Sequence, residues 1–249
     1  MTGGSPISQD HIATFKKDGV VCLRSVIDPA WIDRLRRAVD AIVANPRPRA
    51  LRGASGDAGR FIVQGGAGTL ASDIQSFAAS TQARQIAASL MDSRDVTPFN
   101  DVIFVTEPGA GATEWHNDYS YMALSGTQIC TIWVALDHVT AETGGMFFVR
   151  GSHRKQKLYR PILLGSGRER GVMEQRDPVP DIWARADADD LVSFDLQPGD
   201  CTIHHAWTLH GTKANGSPTQ ARRGIAFRYT GDDVSPLASQ YGVRQARER

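Results

Sequence analysis

The sequence predicts a mainly β protein, a jelly-roll core buttressed by α-helices gathered at its N-terminal end. Helical apolar spacing is confined to the first third of the chain. From Asp101 onward the pattern changes to short β-branched and aromatic runs separated by turn residues. Helices first and many short strands after them match a sheet-on-sheet core carrying a helical support. At 249 residues the chain is long enough for one large core. It is read as a single domain over 1–249, with 1–95 as mainly helical support, 96–235 as the jelly-roll core and 236–249 as a tail.

Ser8 is a candidate cap for a helix carrying Ile12 and Phe15, and Gly19 ends it. Asp28-Pro29 opens a second helix, with the acid as cap and proline at the first helical position. Trp31, Ile32, Leu35, Ala38, Val39, Ile42 and Val43 form its apolar stripe, and Pro46-Arg47-Pro48 stops it. Residues 49–70 are glycine-rich and read as a loop, and a third helix is expected from Thr81 to Met91. The expected strands are Val102–Val105, Gln128–Leu136, Gly145–Val149, Leu191–Phe194, Cys201–Leu209 and Arg223–Tyr229. Pro108-Gly109, Thr143-Gly144-Gly145, Pro198-Gly199-Asp200 and Asn215-Gly216 punctuate them. Residues 154–190 form an excursion, basic in its first part (Arg154, Lys155, Lys157, Arg160, Arg168, Arg170) and acidic in its last (Asp177, Asp181, Asp187, Asp189, Asp190). A connection this long serves as a lid or as a solvated surface loop.

Lys+Arg total 28 against 27 Asp+Glu, so no basic surface for nucleic acid is implied. No apolar run has the length of a membrane span, and the N-terminus shows no secretory pattern. Cys22, Cys130 and Cys201 are too dispersed for a disulfide framework or a zinc knuckle, which is consistent with a reducing cytoplasm.

The chemistry is concentrated in Glu114-Trp115-His116-Asn117-Asp118-Tyr119. On an extended segment His116 and Asp118 point to the same side. One further histidine would complete a two-histidine, one-carboxylate set, the arrangement that holds non-haem Fe(II) with positions left open. If a single strand ran from His204 to His210, these two would stand on the order of 20 Å apart and could not share an ion. His210, beside Gly211 at an expected strand end, is the choice. His204 and His205 are assigned to packing or support, His138 to an exposed turn, and His153 is the main competitor for third ligand.

The order of blocks resembles the phytanoyl-CoA dioxygenase family of Fe(II)/2-oxoglutarate oxygenases. The resemblance runs through Asp18-Gly19-Val20-Val21, Trp115-His116-Asn117-Asp118, Trp133 to Asp137, and Glu142-Thr143-Gly144-Gly145-Met146. It continues through Phe148 to His153, Pro198-Gly199-Asp200, Leu209-His210-Gly211, Asn215 and Arg222-Arg223-Gly224. Residues 46–70 and 154–190 depart from it. The resemblance implies a double-stranded β-helix, with Fe(2+) held by His116, Asp118 and His210 as the catalytic centre, and 2-oxoglutarate and O2 as cosubstrates. It places the 2-oxoglutarate arginine on Arg222, with Arg223 as the alternative because the offset from the histidine differs from that of some members. Thr131, Trp133 and Val102 are further cosubstrate contacts, and Trp133 is equally well suited to core packing. The implied reaction is hydroxylation or desaturation of a small molecule, with release of succinate and CO2. The carboxylate at 118 disfavours halogenation, which requires a small residue there.

Tyr119, Tyr121, Met122, Trp207 and Arg228 are candidates for the substrate pocket, each equally plausible as barrel packing. The basic stretch 154–170 would suit a carboxylate, phosphonate or CoA ester. Two other readings fit the same residues. One is a jelly-roll isomerase or hydrolase using Zn(II) or Mn(II); the other is a non-catalytic binding module with a relict site.

Overall fold

Side-chain caps mark most of the helix starts. The computed structural model describes residues 7–45, 51–53, 59–163, 168–169 and 175–237. Helix α1 (Gln9–Asp18) starts where Ser8 and His11 cap each other reciprocally and ends at Gly19, whose φ of 78° only glycine adopts freely. Helix α2 (Pro29–Ala44) starts on Asp28, which accepts from the Ala30 N–H, and buries Ile32, Leu35, Ala38, Val39 and Ile42. Helix α3 (Ser72–Ala78) was not expected, whereas α4 (Thr81–Met91) has the predicted bounds. The Pro46-Arg47-Pro48 stop and the tail beyond 237 lie outside the described residues.

The strands in chain order are β1 (Val20–Leu23), β2 (Leu51–Gly53), β3 (Phe61–Gly65), β4 (Thr97–Thr106), β5 (Leu124–Ser125), β6 (Ile129–Ala135) and β7 (Met146–Val149). They continue with β8 (Ile162–Leu163), β9 (Arg168–Glu169), β10 (Leu191–Ser193), β11 (Cys201–His205), β12 (His210–Thr212), β13 (Arg222–Thr230) and β14 (Ser235–Pro236). Seven form one antiparallel sheet in the order β1-β11-β6-β13-β4-β3-β2, and three form a second in the order β10-β7-β12. This is the predicted helix-supported jelly roll, with two differences. The region 1–95 is not only helical, since β1 and the β3-β2 pair supply both edges of the large sheet. The glycine-rich stretch 49–70 is not simply a loop, because Phe61–Gly65 pairs with β4.

Period-two alternation sorts the large sheet into two faces. Cys130, Ile132 and Val134 of β6, Cys201 and Ile203 of β11, and Ile225, Phe227 and Tyr229 of β13 join the helices in the main hydrophobic core. The intervening residues, among them Thr131, Trp133, His204, Ala226 and Arg228, face the other way and line a cavity. Because β6 and β13 lie inside the sheet, both faces of each are largely buried.

The 154–190 excursion is described in part, without 164–167 and 170–174. Its Tyr159 and Ile182, the latter in the short helix α5 (Ile182–Arg185), pack with Trp115 and Leu209. Among the described residues, no helix is long and apolar enough to cross a membrane.

Asp200 joins the β1–α2 connection to the turn before β11. Its carboxylate accepts from the Ser25 N–H at 2.8 Å, the Gln197 N–H at 2.9 Å and Arg24 Nη1 at 2.8 Å. Burial raises the carboxyl pKa, but these donors outweigh it and hold the pKa below the ordinary value. A depressed native pKa adds stability that is complete above the unfolded-state value of about 3.9 and is lost as pH falls through the native one. Asp200→Ala is expected to cost about 2–3 kcal/mol at pH 7. In urea denaturation the gap between wild type and variant should narrow as the pH drops below about 4.

Candidate metal centre

A single backbone contact creates the site. His116 and His210 form an isolated antiparallel bridge, in which the His116 N–H donates to the His210 carbonyl at 2.9 Å and the reverse bond measures 2.8 Å. Their rings come together with centroids 4.2 Å apart. Asn117 between His116 and Asp118 is extended (φ −121°, ψ 147°), so Asp118 returns to the side of His116. One ligand atom from each of His116, Asp118 and His210 lies within 4.8 Å of the others, and all three residues are buried.

Both imidazoles are set up as neutral ligands. Nδ1 of His116 lies 2.8 Å from the Glu114 carbonyl, and Nδ1 of His210 lies 2.9 Å from the Thr208 carbonyl. A carbonyl only accepts, so Nδ1 carries the proton in each ring and Nε2 keeps its lone pair. Burial lowers both histidine pKa values, so both rings are neutral at pH 7. Burial alone would raise the Asp118 pKa, but the Arg228 guanidinium and His204 outweigh it and hold the carboxyl well below its usual range. Two neutral nitrogens and one anionic oxygen meet the protonation demand of a divalent metal.

The other histidines are placed as follows. His204 is not 20 Å from His210, since the ring centroids are 4.3 Å apart. Strand β11 stops at His205, residues 206–209 turn, and His210 begins β12 in the opposite sheet. The straight-strand estimate therefore failed, and His210 is buried at the start of a strand. His204 itself is a support: its Nε2 lies 3.3 Å from Asp118 Oδ2. His153 stands apart from the cluster, with Nε2 3.2 Å from the Lys16 carbonyl. His205 neighbours it at 5.4 Å between centroids, and His138 is exposed.

Arg222 and Arg223 face opposite ways. Arg223 pairs with Asp137 at 2.7 Å and Asp40 at 2.7 Å on the helical side. Arg222 lines the cavity, donates from Nε to Thr106 Oγ1 at 3.2 Å and lies over the Trp133 ring at 5.4 Å. It has no ion pair among the described residues, and burial lowers its pKa to about 10, which leaves it charged at neutral pH.

Of the other expected contacts, Thr131 and Trp133 line the cavity, and the Thr131 hydroxyl donates to Asp118 Oδ2 at 2.6 Å. Val102 packs with Phe61, Val63 and Ala110, and Phe104, on the same face of β4, takes the cavity position. Arg228 lines the cavity. Tyr121 meets the His116 ring edge-on at 5.7 Å. Tyr119 stacks on Trp207 at 3.8 Å in a small cluster that Met122 also joins, and none of the three lines the cavity. The sequence reading missed Thr113, Met146, Thr212 and Ala226 in the cavity wall. Alternation from His210 and Arg228 would have pointed to Thr212 and Ala226.

A jelly roll with a two-histidine, one-carboxylate cluster between its sheets defines a candidate mononuclear metalloprotein. The chain belongs to the phytanoyl-CoA dioxygenase (PhyH) family, which matches residues 15–224. It is 27% identical over 139 residues to a probable alpha-ketoglutarate-dependent hypophosphite dioxygenase of Stutzerimonas stutzeri, covering 55% of this chain and 46% of that protein. It is 24% identical over 131 residues to a probable phytanoyl-CoA dioxygenase of Caenorhabditis elegans, covering 52% and 40% respectively. The matches thus span less than half the length of either relative. The fold is shared with the carbocyclase SnoK from nogalamycin biosynthesis (TM-score 0.76, 22% identity, 96% of this chain and 92% of that one). It is also shared with EvdO2 of Micromonospora carbonacea var. aurantiaca, solved with 2-oxoglutarate (TM-score 0.69, 20% identity, 96% and 95%).

Gly224 sets the Trp133 wall, because a Cβ there would lie 2.0 Å from Trp133 Cζ2. Gly224→Ala must displace the indole and is expected to cost about 1–3 kcal/mol in chemical denaturation.

Proposed function

We propose that the protein is an Fe(II)/2-oxoglutarate-dependent dioxygenase that hydroxylates a small molecule with release of succinate and CO2. One observation carries the reading: three buried ligand atoms within 4.8 Å of one another share a cavity with a buried arginine that has no ion pair among the described residues. The residues fit the group. His116, Asp118 and His210 would hold the ion through two neutral nitrogens and one carboxylate oxygen. Arg222 would receive the distal carboxylate of 2-oxoglutarate, because a planar guanidinium suits a bidentate anion and keeps its charge when buried. Bound there, ferrous iron with 2-oxoglutarate and O2 would supply the oxidising power.

The chain's own residues bind, orient and exclude water. Thr106 steadies Nε of Arg222, and the Trp133 ring beneath the guanidinium limits its travel. Phe104, Trp133, Met146 and Ala226 form the apolar part of the wall, which keeps bulk water from competing for the charged groups. Asp118 remains ionised across the physiological range. That carboxylate disfavours halogenation and leaves hydroxylation or desaturation, of which hydroxylation is the outcome we favour. The structural neighbours named as an epimerase and a carbocyclase make the outcome itself worth measuring.

Purified protein loaded with Fe(II) is expected to convert 2-oxoglutarate slowly to succinate in air, and to do so faster with a substrate drawn from acyl-CoAs, amino acids and small natural products. Mass spectrometry of the product separates hydroxylation, a gain of one oxygen, from desaturation or cyclisation, a loss of two hydrogens. His116→Ala should abolish both metal binding and succinate formation. Activity that needs neither O2 nor 2-oxoglutarate would favour a Zn(II) or Mn(II) isomerase or hydrolase. Failure to bind any divalent ion would favour a binding module.

The two arginines separate cleanly. Arg222→Met is expected to raise the KM for 2-oxoglutarate about 10- to 100-fold, the weight of a charge-assisted pair, with metal affinity unchanged. Arg223→Met should leave that KM near wild type and lower the melting temperature instead. The opposite pattern would reassign the anchor.

A further inference from the structure

Asp118 receives more donors than an ordinary metal-binding carboxylate needs. Oδ1 accepts from Arg228 Nη2 at 2.6 Å, and Oδ2 accepts from Thr131 Oγ1 at 2.6 Å and faces His204 Nε2 at 3.3 Å. These three residues come from three neighbouring strands. The register pairs Arg228 of β13 directly with Thr131 of β6, and Thr131 directly with His204 of β11. Directly paired residues on adjacent strands project to the same face, about 4.8 Å apart. The sheet therefore presents a straight rung of guanidinium, hydroxyl and imidazole beneath one carboxylate.

We propose that the Arg228–Thr131–His204 rung is a positioning device that limits Asp118 to one bond with the metal. The inference rests on the functional reading above. An ionised carboxylate offers about four lone-pair sites, and three donors leave about one. A carboxylate gripping the ion through both oxygens would occupy a coordination position that a chelating cosubstrate needs. Held at one point, it leaves that position free. The rung is anchored from outside: Arg228 also donates from Nη1 to Asn100 Oδ1 at 3.0 Å, and Thr131 and His204 lie in the buried centre of the sheet. Nδ1 of His204 is buried with no hydrogen-bond partner, so Nε2 is the ring's one polar tether. Arg228, Thr131 and His204 act through Asp118 and are positioning residues.

The test uses apo wild type, Thr131→Val, Arg228→Met and Arg228→Lys. Co(II) affinity is read by chelator competition. Binding of 2-oxoglutarate to the anaerobic Fe(II) protein is read by the visible absorption that appears when the cosubstrate chelates iron. Thr131→Val and Arg228→Met are expected to weaken Co(II) binding about 10- to 100-fold, the usual reach of residues that orient metal ligands. They should also weaken the 2-oxoglutarate absorption titration at saturating metal. Arg228→Lys should recover part of both losses, which a purely structural role would not predict. Thr131→Val conserves shape and carries the test if Arg228→Met fails to fold by circular dichroism. Folded variants that bind Co(II) and 2-oxoglutarate within twofold of wild type would overturn the rung and leave the functional reading standing. Wild-type protein that binds no divalent metal would overturn both.

Discussion

The backbone pair between His116 and His210 is the constraint on which the site depends. Two hydrogen bonds of 2.9 and 2.8 Å join a loop after β4 to the first residue of β12. Residues that exchange both backbone bonds sit opposite each other with their side chains on one face. The two imidazoles are neighbours for that reason, whatever the distance between them along the chain. Each ring then donates Nδ1–H to a carbonyl two residues upstream, which fixes tautomer and orientation together. Alternation adds Asp118. One local pairing therefore sets three candidate ligands, and the surrounding sheets only have to preserve it.

The inward face of β13 shows how charge is distributed around that pair. Arg222, Gly224, Ala226 and Arg228 alternate along the strand, with a cation near each end and small residues between. Gly224 makes room for the Trp133 indole, which in turn lies under Arg222. The two arginines differ in what they meet. Arg228 is neutralised by Asp118, whereas Arg222 is buried without an ion pair among the described residues. An uncompensated buried charge costs several kcal/mol. That cost is relieved by an anion at the guanidinium, so the burial of Arg222 favours an anionic ligand there.

Much of this was legible in the sequence because it follows from short-range rules. Ser8, Asp28-Pro29 and Gly19 mark helix ends through capping geometry that a few residues determine, and Thr81–Met91 has the predicted bounds. Period-two alternation is also a local rule, and on β6 and β13 it divides core residues from cavity residues once the strands are placed. What was not legible depends on the path of the chain in space. Val20–Leu23 lies in a region of helical spacing and Phe61–Gly65 in a glycine-rich stretch, and they become strands because β11 and β4 are there to pair with. His204 was misplaced because a straight strand was assumed from 201 to 209, where the chain instead turns and crosses between sheets. Its position opposite Thr131 is a matter of register, and register is set by tertiary pairing. Tyr119 follows Asp118 directly and Trp207 lies three residues before His210, yet their rings stack on each other and neither lines the cavity.

Asn117 explains why the ligand loop keeps its shape. Its side chain points away from the metal cluster, and both its polar functions are used. Nδ2 donates to the Lys157 carbonyl at 2.9 Å, and Oδ1 accepts from the backbone and hydroxyl of Ser120 at 3.1 and 2.6 Å. Ser120 Oγ in turn accepts from the Tyr159 N–H at 2.9 Å, and the Ser120 carbonyl accepts from Arg176 at 3.0 Å. The 154–190 excursion, read from sequence as a lid or a surface loop, is thus tied to Asn117 and Ser120, between and just after the candidate ligands His116 and Asp118. The Lys157 tie reaches Asn117 directly and the Tyr159 tie reaches it through Ser120 Oγ, and an extended Asn117 is what returns Asp118 to the side of His116. A change in the excursion that shifts Lys157 or Tyr159 would therefore act on the candidate ligands through the backbone of residue 117.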